Sequence, residues 1–144
     1  VNASPACIAL IKQYEGLRLT VERDTNGVPV VGYGHDDAKM IVGDTITEAE
    51  AEMLLSSDVA KFESYLNRVI SHPVTQGQFD ALCDFTYNVG SQTLYKSKLL
   101  GLVNDGRIRA AADDLLNFCH DSSGKYLQNL YDRRTAEREM FLNG

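Results

Sequence analysis

Glu15 and Asp24 stand nine residues apart, where the chain changes from a helical to a strand-like pattern. A carboxyl at a helix end and another at a strand end can face one cleft from different surroundings. Glycoside hydrolysis needs that division: a protonated acid for the leaving oxygen, and an ionised carboxylate for the water or the sugar cation. Different surroundings are what separate the proton affinities of two such groups. With 20 acidic side chains in 144 residues, a pair alone is weak grounds, and its setting has to decide. No competing chemistry stands out. His35, His72 and His120 are far apart with no HExxH spacing, and Cys7, Cys83 and Cys119 form no CxxC pair, so a metal site is not expected. Cys7 and Cys83 fall on apolar helical faces, where a cysteine serves as a small hydrophobe. The spacing leaves open whether one pair bridges in an oxidising compartment.

The elements that must position the pair follow from periodicity. Ser4 is a favoured N-cap, Pro5 suits the first helical position, and Ile8, Ile11 and Tyr14 recur at helical spacing up to a stop at Gly16. Glu15 is then the last helical residue. Leu19, Val21, Val28, Val30 and Val31 are strand-like and flank Asn26-Gly27, a hairpin signal whose two residues both take positive φ in the expected turn. With Gly32-Tyr33-Gly34-His35 following, a sheet of two or three strands is predicted. Thr47 and Glu50 spell a capping box before a helix running to about Ile70; Thr75 and Gln78 spell a second, before a helix ending at Gly90. Shorter helices are expected at about 93–103, 107–119 and 129–142. The fold class is therefore α+β and predominantly helical, in one domain spanning 1–144. A β lobe (about 17–45) and a helical lobe (about 71–144 with the N-terminal helix) are joined by the long helix at about 47–70.

Composition excludes several functions. The net charge is −6, against nucleic-acid binding, which needs a basic surface. No apolar run approaches the roughly 18 residues of a membrane span, so an integral membrane protein is not expected. The acid is concentrated early: residues 1–93 carry −7, residues 94–144 carry +1. An anionic polymer would meet the second part more easily. The chain opens at Val1 with no initiator Met and no basic-then-apolar leader, which leaves the export route open.

The strings around the pair resemble phage-type lysozymes (endolysins, glycoside hydrolase family 24). The likeness runs through Tyr14-Glu15-Gly16-Leu17-Arg18-Leu19, Asp24, and Gly27-Val28-Pro29-Val30-Val31-Gly32-Tyr33-Gly34-His35. It continues in Pro73-Val74-Thr75-Gln76, Gln78-Phe79-Asp80-Ala81-Leu82, Asn88-Val89-Gly90 and Ser97-Lys98-Leu99-Leu100, and ends in Arg133-Arg134 and Glu137-Arg138. The resemblance implies a lysozyme-like two-lobed fold with bacterial peptidoglycan bound between the lobes. It implies cleavage of the β-1,4 bond between N-acetylmuramic acid and N-acetylglucosamine, without metal or cofactor, by a monomer acting on the bacterial cell wall. Glu15 matches the family's general acid, Asp24 its second carboxylate, and Ser97 a motif serine expected to touch saccharide. The family's third position is a threonine six residues after the aspartate, where its hydroxyl helps hold the attacking water. Val30 stands there instead. Valine copies the shape without the hydrogen bond, a loss of about 1–3 kcal/mol of barrier, or roughly 10- to 100-fold in rate.

Other residues have plainer readings. His35 is within reach of substrate on this reading, or else a structural hydrogen-bonding residue at the lobe boundary. Arg133, Arg134 and Arg138 are expected to solvate the last helix or meet its C-terminal dipole, with one of the first two a possible partner for Glu15. Asn88 and Gly90 read as a helix end. The competing function is a catalytically impaired lysozyme fold that binds wall glycan or a protein partner. Val30 is the one feature that favours it.

Overall fold

A computed structural model describes all residues, 1–144. Helix α1 (Pro5–Glu15) leads into an antiparallel sheet of β1 (Arg18–Arg23), β2 (Pro29–Gly32) and β3 (His35–Asp36), in that spatial order. Helix α2 (Glu48–Val69) follows, then α3 (Gln76–Val89), α4 (Ser91–Lys96), α5 (Lys98–Asn104), α6 (Ile108–Leu115) and α7 (Gln128–Asn143). This is the expected α+β class, mostly helical, with three strands.

Both capping boxes form: the Thr47 and Thr75 hydroxyls accept from the N–H of Glu50 and Gln78, whose side chains reach back to the cap backbone. The first half of α2 lies along the sheet, with Ala51 under Gly32 and Asp58 bonded to His35. Its second half packs on α3, where Phe62 meets Tyr87 edge-on. Helix α3 is the axis of the core. Nine of its fourteen residues are buried, and Phe79, Leu82 and Phe85 join Ile11, Leu55, Leu66, Leu99 and Phe141 in one cluster. A helix buried on nearly every side must partner its own charges internally. Asp80 and Asp84 do so.

Four local expectations are corrected. Ser4 precedes α1, but its side chain makes no capping bond; it donates to Asp80 across on α3. The stretch at 93–103 is two helices, because Ser97 takes an extended conformation and caps a new start at Lys98. The helix expected to reach 119 ends at Leu115. The hairpin turn keeps only Gly27 at positive φ, +80°, and Asn26 is not in that region. Gly27 N–H bonds to Asp24 C=O and Asp24 N–H to Val28 C=O, the three-residue loop in which one glycine takes the left-handed position. Asp24 is the residue that closes it. All three cysteines are buried and free, so no pair bridges.

Candidate active site

The turn chemistry that ends β1 also fixes Asp24. Its Oδ1 accepts the backbone N–H groups of Asn26 (2.8 Å) and Val28 (2.9 Å). One carboxylate oxygen is thereby spent on holding the loop, and Oδ2 has no protein partner. Glu15 arrives from the other side, at the end of α1, where Gly16 at φ +70° turns the chain away. Both carboxyls line one cavity of about 260 Å³ with Arg18, Val30, Asp36 and Tyr87. Val30 sits in β2 paired with Glu22 and Asp36, and its side chain forms apolar wall of the cavity.

Asn88 at the back of this cavity also lines a larger groove of about 750 Å³. Thr25 and Asn26 of the hairpin form one bank; Thr93, Phe118, His120 and Ser123 contribute to the other. The two spaces meet at Asn88, so the carboxyl cavity neighbours a groove between the hairpin and the helices.

Glu15 is gripped from the core. Arg133 on α7 donates from Nη1 to Glu15 Oε2 at 2.7 Å. The remaining face of that guanidinium is taken by Asp84 on α3, Nε to Oδ2 at 2.9 Å and Nη2 to Oδ1 at 2.8 Å. The other oxygen of Glu15, Oε1, lies against Gly34, where a Cβ would collide with it. Gly34 also has φ +78°. A glycine is required there twice over, for backbone shape and for room. The Tyr87 hydroxyl donates to the Tyr33 carbonyl, tying α3 to the strand turn just ahead of Gly34.

Behind Arg133 lies a second buried pair. Arg134 and Glu137 have no solvent exposure. Arg134 Nη2 donates to Asn88 Oδ1 at 2.6 Å and to Glu137 Oε2 at 3.1 Å, and the guanidinium lies 4.9 Å over the Phe85 ring. With Oδ1 occupied, the Asn88 amide keeps its N–H donors for a ligand. Burial pushes the Glu137 carboxyl well above its ordinary 4.5, and Asp84 beside it adds to the rise despite the two guanidiniums. Asp84 is held below its ordinary value by its hydrogen bonds from Glu137 and Arg133, which outweigh its own burial. Glu137 thus keeps a proton that the unfolded chain gives up. Its contribution to stability is full below about 4.5 and declines as pH rises, because the fold then binds a proton the unfolded state has released. Glu137→Gln, which carries no such proton, should gain on the wild type as pH rises from 4 to 7, by up to about 1.4 kcal/mol per unit. Urea melts at three pH values give the slope; parallel curves would show Glu137 charged in the fold.

The arginine expectation is therefore corrected: Arg133 and Arg134 are core residues, and Arg138 alone stays at the surface, paired with Asp113. His35 is placed beside the carboxyl cavity, not on it. Its Nδ1 lies 2.7 Å from Asp58 Oδ2, joining β3 to α2, and it lines a neighbouring hollow that shares Gly34, Asp36 and Tyr87. Ser97 lines neither the cavity nor the groove. Its hydroxyl donates to Leu94 C=O and accepts from Leu100 N–H, which caps the start of α5. Asp36, Arg18, Tyr87 and Asp84 were not singled out by the sequence. Asp36 could have been: a strand pairing with β2 places it opposite Val30. Asp84 could have been flagged as a charge inside an otherwise apolar helical face.

Similarity to known proteins follows this geometry. The phage lysozyme family model matches residues 12–137. The endolysin of Bacillus phage B103 is 40% identical over the whole chain, although the chain spans only 55% of that protein's length. The chain likewise spans 56% of the Bacillus phage PZA endolysin, about half of each. The endolysin of Salmonella phage P22 is 34% identical, with 94% of each covered. Among solved structures, the muramidase domain of SpmX from Asticaccaulis excentricus superposes with a TM-score of 0.91 at 34% identity, covering 99% of both chains. A mutant P22 lysozyme gives 0.84 at 31%, also covering 99% of both. The chain belongs to the phage lysozyme family.

Proposed function

We propose that this protein hydrolyses the β-1,4 bonds between N-acetylmuramic acid and N-acetylglucosamine in bacterial peptidoglycan. The observation that carries the reading is the presence of Glu15 and Asp24 on one cavity that shares Asn88 with a larger polar groove. Glu15 is the proton donor to the glycosidic oxygen. As the C1–O bond breaks, positive charge on the sugar ring is met by Asp24, whose unbonded Oδ2 also orients water. Water adds at C1 and gives its proton to Asp24, restoring a hydroxyl on each product. Asn88 and the hairpin edge at Thr25 and Asn26 are the saccharide contacts that the cavity and groove support.

The wall of bacteria is the place of action, and one chain supplies both banks of the cleft, residues 17–45 on one side and 71–144 on the other. This supports a monomer as the working unit. No helix is long and apolar enough to cross a membrane. No group of three or more His, Cys, Asp or Glu is placed to hold a metal ion. The test is turbidity of permeabilised bacteria: clearing is expected from the protein alone, and turbidity that stays constant at micromolar protein contradicts the reading.

Val30 gives a gain-of-function prediction. Its side chain is apolar wall in the cavity that water must occupy. Val30→Thr fits the same volume and adds a hydroxyl. Clearing should speed up about tenfold, the equivalent of one well-placed hydrogen bond. An unchanged rate with unchanged melting temperature would mean water is held by another group.

A further inference from the structure

We propose that Asp84 is a positioning residue for Glu15: from inside the core it takes the Nε–Nη2 edge of the Arg133 guanidinium, so that Nη1 and part of one charge reach Glu15. The inference rests on the reading of Glu15 as proton donor and extends it to what sets that donor's readiness.

Asp84 and Glu15 share the charge of one guanidinium. Around Asp84 stand Arg133, Arg134 and Glu137 from α7, with Cys7 and Tyr14 from α1. Around Glu15 stand Arg133 from α7, Tyr87 from α3, and Arg18, Asp24 and Asp36 from the sheet and its turns. Arg133 alone bonds to both carboxyls. Its three contacts, at 2.7, 2.8 and 2.9 Å, use one N–H from each of its three nitrogens. Glu137 bonds to Arg134, at 2.9 and 3.1 Å, and comes no nearer than 3.9 Å to Arg133 Nε, so Asp84 is the interior carboxylate in direct contact with the Arg133 guanidinium. Remove its charge and the full attraction of Arg133 turns on Glu15.

That shift has a sign. A stronger cation at Glu15 favours the carboxylate and works against a group that must deliver a proton. A freed guanidinium also swings, so the acid loses aim as well as proton. A residue with a merely structural role would lower stability and leave the proton balance of Glu15 alone.

The experiment titrates Glu15 directly. Carboxyl ¹³C NMR on glutamate-labelled protein follows its signal, assigned by disappearance in Glu15→Gln, in wild type and in Asp84→Asn. The midpoint is expected to fall by about one pH unit, a tenfold loss of proton affinity. In parallel, the alkaline limb of kcat on soluble wall fragments should move to lower pH, with KM little changed. An unmoved midpoint in folded Asp84→Asn overturns the proposal. Should the Asn variant not fold, Asp84→Ser removes the same charge and leaves space for water at the guanidinium, and is judged by the same midpoint. The NMR readout needs no turnover. A shifted midpoint in a protein that cleaves no glycan would therefore sink the muramidase reading and leave this coupling standing.

Discussion

Glu15→Gln is expected to slow wall hydrolysis about 1,000-fold, within the range that general acid catalysis supplies. The amide oxygen can still accept from Arg133 Nη1, so the 2.7 Å contact and the end of α1 survive. What it cannot do is hand a proton to the glycosidic oxygen. The side chain is 19% exposed and sits at the rim of the core rather than inside it. Its melting temperature should stay within a few degrees of wild type. Loss of activity with retained stability is the signature; activity within tenfold of wild type would remove Glu15 from the reaction. Asp24→Asn makes a useful contrast. Its Oδ1 holds the hairpin through two N–H bonds, so that variant tests loop and chemistry together, whereas Glu15→Gln separates them.

Gly34→Ala should be nearly as damaging, without touching a carboxyl. At φ +78° an added Cβ is strained by about 1–2 kcal/mol, and it points at Oε1 and the carboxyl carbon of Glu15. Relief requires the acid to move by most of an ångström. A displacement of that size costs on the order of 100-fold in rate. Steady-state kinetics should show the loss chiefly in kcat, with binding of wall fragments retained through the larger groove. A loss of affinity at constant kcat would place Gly34 in substrate binding instead.

The sequence displays these two positions unequally. Glu15 is legible because a helix stop at Gly16 and a strand pattern after it put the acid at a junction. Its match to the phage lysozyme strings then assigns a role. Both capping boxes and the long helix could be read because each is written in neighbouring residues. What could not be read were contacts made across the chain. Ser4 looks like a cap, yet Asp80, 76 residues away, takes its hydroxyl. Ser97 looks like a motif serine, yet its local backbone uses it as a helix start. Helix α7 is the clearest case. Its buried face carries Arg133, Arg134 and Glu137 along with Phe141, so its hydrophobic pattern vanishes and its charges read as a solvated surface. Only the meeting with Asp84 and Glu15, 49 and 118 residues away, makes sense of them. Periodicity reports what lies in water, and it fails where charges are buried together.

The Asn26-Gly27 turn teaches a related point. The dipeptide is correctly a turn signal, but the loop formed has Asp24 as its first residue and a single left-handed glycine. That alternative is chosen because the Asp24 carboxylate supplies two further bonds to the loop backbone. The same side chain closes the hairpin and faces the cavity, which explains why its position there is so tightly fixed.

The most direct measurement is the identity of the ends released from purified peptidoglycan. Digested glycan is reduced with borohydride, and the products are separated and weighed by mass spectrometry. The account predicts reduced N-acetylmuramic acid at every new end, formed by wild type and absent with Glu15→Gln. New ends on N-acetylglucosamine, or release of peptides with the glycan strands intact, would contradict it.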